Sequence, residues 1–269
     1  MDTPEYRFSI EEVAALLAIS GMKDVAKGLL MSNFGELSPD EERGRLLAAN
    51  HSLYVRGHIT VNGEGQQVAP EIVELLTAFT SSARTLRAGK TGAYGEDVLA
   101  FHYHAEQWIE NSVRDGVTFS FHGKRSLDDI EAQLMSFFSP VFLGWRKSDP
   151  VILPETLISE LTPEMRRSEE AVLAFIQQTA AGHPFAEGLA RDFSQAIWRG
   201  SLLWMESEAE EDIAMRATLL VQGVDRLWMI NSTSQDEQTR LQAQLCSLAQ
   251  FRQHIHDFVH SDQAPRREI

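Results

Sequence analysis

Three histidines in this sequence, His102 and His104 in AFHYHAEQW and His122 in TFSFHG, are spaced so that imidazoles could converge on a metal ion. Residues two apart on a strand point to the same face. If a hairpin aligns the apolar faces of two such strands, their polar faces align too, and His102, His104 and His122 share one side. Three imidazoles hold zinc with a fourth position open for water, which the metal acidifies. Glu106, on the same face, would be a base or a partner that orients a ligand. That chemistry is a metal-dependent hydrolase. The same strands have a simpler explanation, because Phe101, Tyr103, Phe119 and Phe121 make them core builders, and a polar sheet face carrying histidines needs no metal. The solvated sheet face is the primary reading and the hydrolase the alternative; no catalytic, cofactor-binding or metal-ligating residue is otherwise assigned.

Other chemistry-bearing patterns are weaker. In HIHDFVH, His256 and His260 lie four apart and share a helix face, as ligands of a helical zinc site would. The residue after His256 is Asp257 where HExxH has glutamate, and no third ligand stands out in the sequence, so the pair reads as a helix end. RAGKTGAYG contains Gly-Lys-Thr, but a phosphate-binding loop needs a further glycine where Arg84 stands, and strand pattern follows instead of a helix. The single cysteine, Cys246, permits no intramolecular disulfide and reads as packing. Trp108, Trp145, Trp198, Trp204 and Trp228 lie in or beside strand patterns and read as core, or otherwise as anchors of a binding surface.

The elements that must position these residues follow from capping and period. SIEEVAALLAISG opens with a capping box, Ser9 with Glu12, and Gly21 stops it. LSPDEERGRLLAANHSLYVRG has Ser38 as cap, Pro39 at the first helical position, acids in the first turn and Gly57 as terminator. HITVNGEGQQVA predicts a short strand and a glycine turn, and PEIVELLTAFTSS a third helix. ARTLRAG, DVLAFHYHAEQWI and GVTFSFHG then read as strands, the last two joined near SVRDG. SLDDIEAQLMSFF is an amphipathic helix.

SPVFLGWRKSDPVILPE, with its three prolines, marks an internal boundary. Beyond it the order of elements returns. LTPEMRRSEEAVLAFIQQTAAG, starting at Thr162-Pro163-Glu164, and HPFAEGLARDFSQ read as helices. IWRGSLLWMES, DIAMRATLLVQG and DRLWMINS read as strands, and DEQTRLQAQLCSLAQFRQHIHDFVHS as one long helix. The expected fold is α+β. A first half over residues 1–139, a proline-rich connection over 140–154 and a second half over 155–269 are related by a pseudo-twofold and share a central sheet. The halves are expected to form one domain.

The formal net charge of −15 opposes sequence-independent nucleic-acid binding and docking on anionic lipid. The opening helices and GHITVNGEGQQVA have the outline of a winged helix, but no basic recognition helix accompanies them. MDTPEYRFSIEEV has no basic start and no apolar run, and no stretch approaches the ~20 apolar residues of a membrane span, so a cytoplasmic location is expected.

Together, SIEEVAALLAISG, SPDEERGRLLAANHSLYVRG, VAPEIVELLTAF, the hairpin strands and the SLDDIEAQL helix resemble the EspG chaperones of mycobacterial type VII (ESX) secretion systems. The resemblance covers most of the chain as pattern. It implies a cytosolic, non-enzymatic chaperone of pseudo-twofold α/β fold, without cofactor, that binds the helical tips of secreted PE–PPE heterodimers and keeps them soluble. The expected partner is therefore a client protein with exposed apolar helices. The resemblance assigns no contact residue; the stretch Asn111 to Asp115 and the loop Ser207 to Asp212 are the places to look.

Overall fold

Ser9 and Glu12 close the first helix reciprocally: the Glu12 amide donates to Ser9 Oγ at 3.2 Å, and the Ser9 amide donates to Glu12 Oε2 at 2.9 Å. Ser38 and Glu41 do the same further on, at 3.3 and 2.9 Å. The structure, a computed structural model, describes residues 5–63, 65–93, 95–114, 116–143, 149–162, 165–207, 213–235 and 238–260. Trp145, Pro163 and Glu164, Asp115 and the loop residues 208–212 lie outside them.

The fold is α+β. Ten strands form an antiparallel sheet in the order β1-β7-β6-β5-β4-β9-β10-β11-β12-β8, and β2 and β3 form a separate hairpin. By contacts the chain divides into two units, Met1–Thr85 with Asp97–Ser126, and Leu86–Glu96 with Leu127–Ile269.

In the first unit, strand β1 (Glu5–Ser9) leads into α1 (Ile10–Ile19), α2 (Lys23–Phe34) and α3 (Pro39–Val55). The hairpin β2 (Ile59–Asn62) and β3 (Gly65–Val68) follows, then α4 (Pro70–Ser81); after β4 (Arg84–Gly92), most of which belongs to the second unit, come strands β5 (Gly95–His104), β6 (Gln107–Arg114) and β7 (Thr118–Arg125). Gly57, at φ +76°, ends α3 in a conformation that only glycine adopts without strain. The helices pack through Leu16, Leu17, Leu53, Ile72 and Leu76 onto Phe8, Ile109, Phe119 and Phe121 of the sheet.

One departure from the sequence reading reorganises this sheet. DVLAFHYHAEQWI is two strands, because Ala105 and Glu106 take φ values of +48° and +63° and turn the chain between His104 and Gln107. Both central residues of a two-residue hairpin loop have positive φ in a type I′ turn. Asn-Gly or Asp-Gly would have announced it, and Ala-Glu does not. The turn near SVRDG is also present, so β6 lies between β5 and β7.

In the second unit, α5 (Leu127–Phe138) precedes β8 (Val151–Leu153), a short α6 (Leu157–Glu160), α7 (Glu169–Ala180) and α8 (Ala186–Ser194). The antiparallel strands β9 (Trp198–Ser207), β10 (Ile213–Gln222), β11 (Leu227–Gln235) and β12 (Gln238–Cys246) follow, and α9 (Leu248–His260) closes the described chain. The single long helix predicted for the end is thus a strand and a helix. β12 pairs with β11 from Leu227↔Cys246 to Gln235↔Gln238 and with β8 at Leu241↔Leu153 and Ala243↔Val151. The α7 helix starts at Ser168, whose side chain accepts from the Ala171 amide.

Both sheet faces of this unit carry helices. On one, α7 and α8 cover Val221, Trp228, Ile230, Ala243 and Leu245. On the other, Phe138 of α5 meets Trp198 at 5.6 Å and Phe251 of α9 at 6.0 Å. Among the described residues, no helix is long and apolar enough to cross a membrane.

Candidate functional site

The inserted strand separates the three sequence-predicted histidines. His102 pairs with Ile109, whereas His122 pairs with Glu110, the next residue of the same strand. Paired residues share a face and adjacent ones do not, so His102 and His122 lie on opposite sides of the sheet. His104 shares the face of His102 and stands at the end of β5, beside the turn, opposite Gln107. A face carrying all three, as the sequence reading aligned them, does not form.

His102 is buried, 5% exposed, with its ring edge against Phe79 of α4 and its Nδ1 3.3–3.4 Å from the Thr85 and Ser82 hydroxyls. Its Nε2 is buried with no hydrogen-bond partner in the structure. Burial lowers its pKa to about 4, so the ring is neutral at physiological pH. The solvated side of a sheet is therefore the wrong description of His102; it is a core histidine. His122 lies on the opposite face with its Nε2 3.7 Å from Glu5 and 3.8 Å from Glu110, and Arg125 donates to Glu110 at 2.6 Å. The Arg125–Glu110 pair is a structural ion pair around a buried carboxylate, and His122 packs beside it.

Of the other singled-out residues, Gly89 to Gly92 lie within β4, and Lys90 donates to the Phe137 carbonyl at 2.6 Å. Cys246 is 2% exposed, and burial pushes its thiol up to about 12. Trp108, Trp198, Trp204 and Trp228 are buried, as the core reading expected. Asn111 to Arg114 form part of β6, with Asn111 buried, and are not a connecting loop.

The segment around Ser207 is different. On β9 and β10, Trp198, Leu202 and Trp204 pair with Gln222, Thr218 and Arg216, and this face is closed by α9: Thr218 bonds His254 at 2.9 Å and Arg216 donates to the Phe258 carbonyl at 2.9 Å. The alternate residues face the other way. Near Val221 they are covered by α7 and α8, but towards the hairpin end Leu203, Met205, Ile213, Met215 and Ala217 lie outside that core. Ile213 is 63% and Met215 67% exposed. Adjacent strands thus present an apolar strip ending at Ser207 and Ile213. Alternation made the strands legible, but not where the helical cover stops.

No protein-family description and no curated protein matches the sequence. The fold is similar to a solved structure of the Mycobacterium tuberculosis type VII secretion system chaperone EspG5 in complex with a PE25–PPE41 dimer, with a TM-score of 0.62. The match covers 99% of each chain at 10% sequence identity.

Proposed function

We propose that the chain is a non-enzymatic, cytoplasmic protein-binding adaptor or chaperone, EspG-like, that shields hydrophobic helical segments of a client protein. The observation that carries this reading is the apolar strip of Leu203, Met205, Ile213 and Met215 at the open end of the β9–β10 hairpin. The likeness of fold to a type VII secretion chaperone solved in complex with a PE25–PPE41 dimer supports it. Burying such a side chain against a partner contributes ~1–2 kcal/mol, so a few of them anchor a client while a polar rim selects it. Methionine suits the task, because its unbranched side chain adapts to more than one helix surface. The occupant is the apolar tip of a helical pair of the PE–PPE kind. The division into halves at residues 140–154 and their pseudo-twofold relation belong to the same proposal.

Co-expression with PE–PPE-type helical dimers, followed by gel filtration, tests it. The wild-type chain is expected to keep a client dimer soluble, and the double variant Ile213→Glu, Met215→Glu to lose it while retaining its own fold by circular dichroism. A double variant that protects the client as well as wild type removes the strip from the mechanism.

A further inference from the structure

Helix α9 ends in HIHDFVH, and the four-residue spacing stacks His256 and His260 on one face with ring centroids 4.3 Å apart. The third ligand missing from the sequence comes from α5. His256 Nδ1 lies 2.9 Å and His260 Nε2 2.5 Å from the same oxygen, Oε1 of Glu131. Ligand atoms of the three residues all fall within 4.8 Å of one another. We propose that Glu131, His256 and His260 form a surface site for one divalent transition-metal ion of the zinc class, clipping α9 to α5.

The donor set fits. Two imidazoles and a carboxylate are ligands that zinc accepts, with bonds of about 2.0–2.2 Å. Tetrahedral ligands at that radius stand ~3.4 Å apart, so Glu131 Oε1 must draw back from each ring by about half to one ångström. Half-exposed side chains accomplish this by rotation. The backbones beneath them are already fixed, because Ile130, Leu134 and Phe138 of α5 and Phe251, Ile255 and Phe258 of α9 are buried.

Without metal, both ring nitrogens must carry a hydrogen towards the one oxygen, which for a neutral His256 demands the Nδ1–H tautomer. A cation replaces both hydrogens and satisfies all three groups at once. The net charge of −15 favours cation binding further. Three protein ligands leave a fourth position for water. Asp257 follows His256 where a zinc hydrolase has its glutamate base, and it accepts from Gln253 at 2.7 Å. The role assigned is therefore a clip.

The test uses the untagged full chain, stripped with chelator, desalted and titrated with zinc chloride, with elemental analysis after gel filtration and thermal unfolding in parallel. One zinc per chain is expected. The double variant His256→Ala, His260→Ala should lose it, Glu131→Gln should weaken it by more than ~10-fold, and His51→Ala on exposed α3 should bind as wild type. At zinc one hundred times its dissociation constant, the folding equilibrium of wild type should shift ~100-fold towards the native state. Zinc retained equally by the double variant overturns the site, as does no zinc retained by wild type. Zinc retained without thermal stabilisation overturns the clip.

Discussion

His102 stores a pH dependence. Its pKa is about 4 in the folded chain, lowered by burial, against ~6.5 for a free imidazole. Between these values the unfolded chain binds the extra proton, so stability is present in full above pH ~6.5 and falls as the pH drops towards 4. From pH 7 to pH 5 the loss is ~2 kcal/mol. Urea unfolding at both pH values should show this loss in wild type and most of it absent in His102→Leu. Glu12 also contributes stability that is lost as the pH falls, but lower on the scale, through its lowered carboxyl pKa, and for a different reason. Burial opposes its charge, but hydrogen bonds from Ser52, the Ser9 amide and Arg56 win and hold its pKa below the usual carboxylate value. Its oxygens receive Ser52 at 2.7 Å and Arg56 at 2.9 and 3.0 Å, while Arg56 also donates to the Arg7 carbonyl at 2.7 Å. Glu12→Ala leaves Arg56 without its carboxylate and should cost ~2–4 kcal/mol by denaturant titration. Cys246 should resist alkylation in the native protein at pH 8 and react on unfolding, because a buried thiol with a raised pKa offers almost no thiolate.

At the scale of elements, Gly200 of β9 marks a close approach of one strand to the backbone of another and to a buried ring. A Cβ there would meet the Gly89 carbonyl oxygen at 2.8 Å and Phe138 at 3.0 Å. Gly200→Ala should cost ~1–3 kcal/mol and lower the melting temperature, since neither backbone nor a fully buried ring can retreat cheaply. Helix starts were legible in the sequence because Ser9 and Ser38 carry their whole chemistry within four residues. Two elements were not. TRLQAQLC alternates, with Leu241, Ala243 and Leu245 towards α7 and α8, yet its leucine, glutamine, arginine and alanine are strong helix formers and run straight into α9. Pairing with β11 and β8 decides it, and that is a tertiary fact. The Ala105–Glu106 turn has no glycine or asparagine to reveal it, and missing it brought His102 and His122 onto one face. The Glu131–His256–His260 group escaped for a related reason: its third member lies 125 positions from His256, on another helix.

For the whole molecule, fold and function part company. The α+β architecture follows from period and capping, and likeness to a secretion chaperone extends over 99% of the chain. A client, however, is chosen by a surface, and alternating apolar residues on β9 and β10 look the same in sequence whether helices cover them or not. The proposed mechanism places the work in side chains that the fold leaves uncovered, so it predicts separable effects. Charging Ile213 and Met215 should abolish client binding with less than ~0.5 kcal/mol change in stability, as for other exposed positions. His102→Leu should alter the pH profile and spare the client. The measurement that tests the central claim most directly is light scattering coupled to gel filtration of the chain with co-expressed PE–PPE-type dimers. One chain eluting with one dimer, and the complex lost in Ile213→Glu, Met215→Glu, is the result expected. A chain that elutes alone with every dimer, or a complex undiminished by those charges, would contradict it.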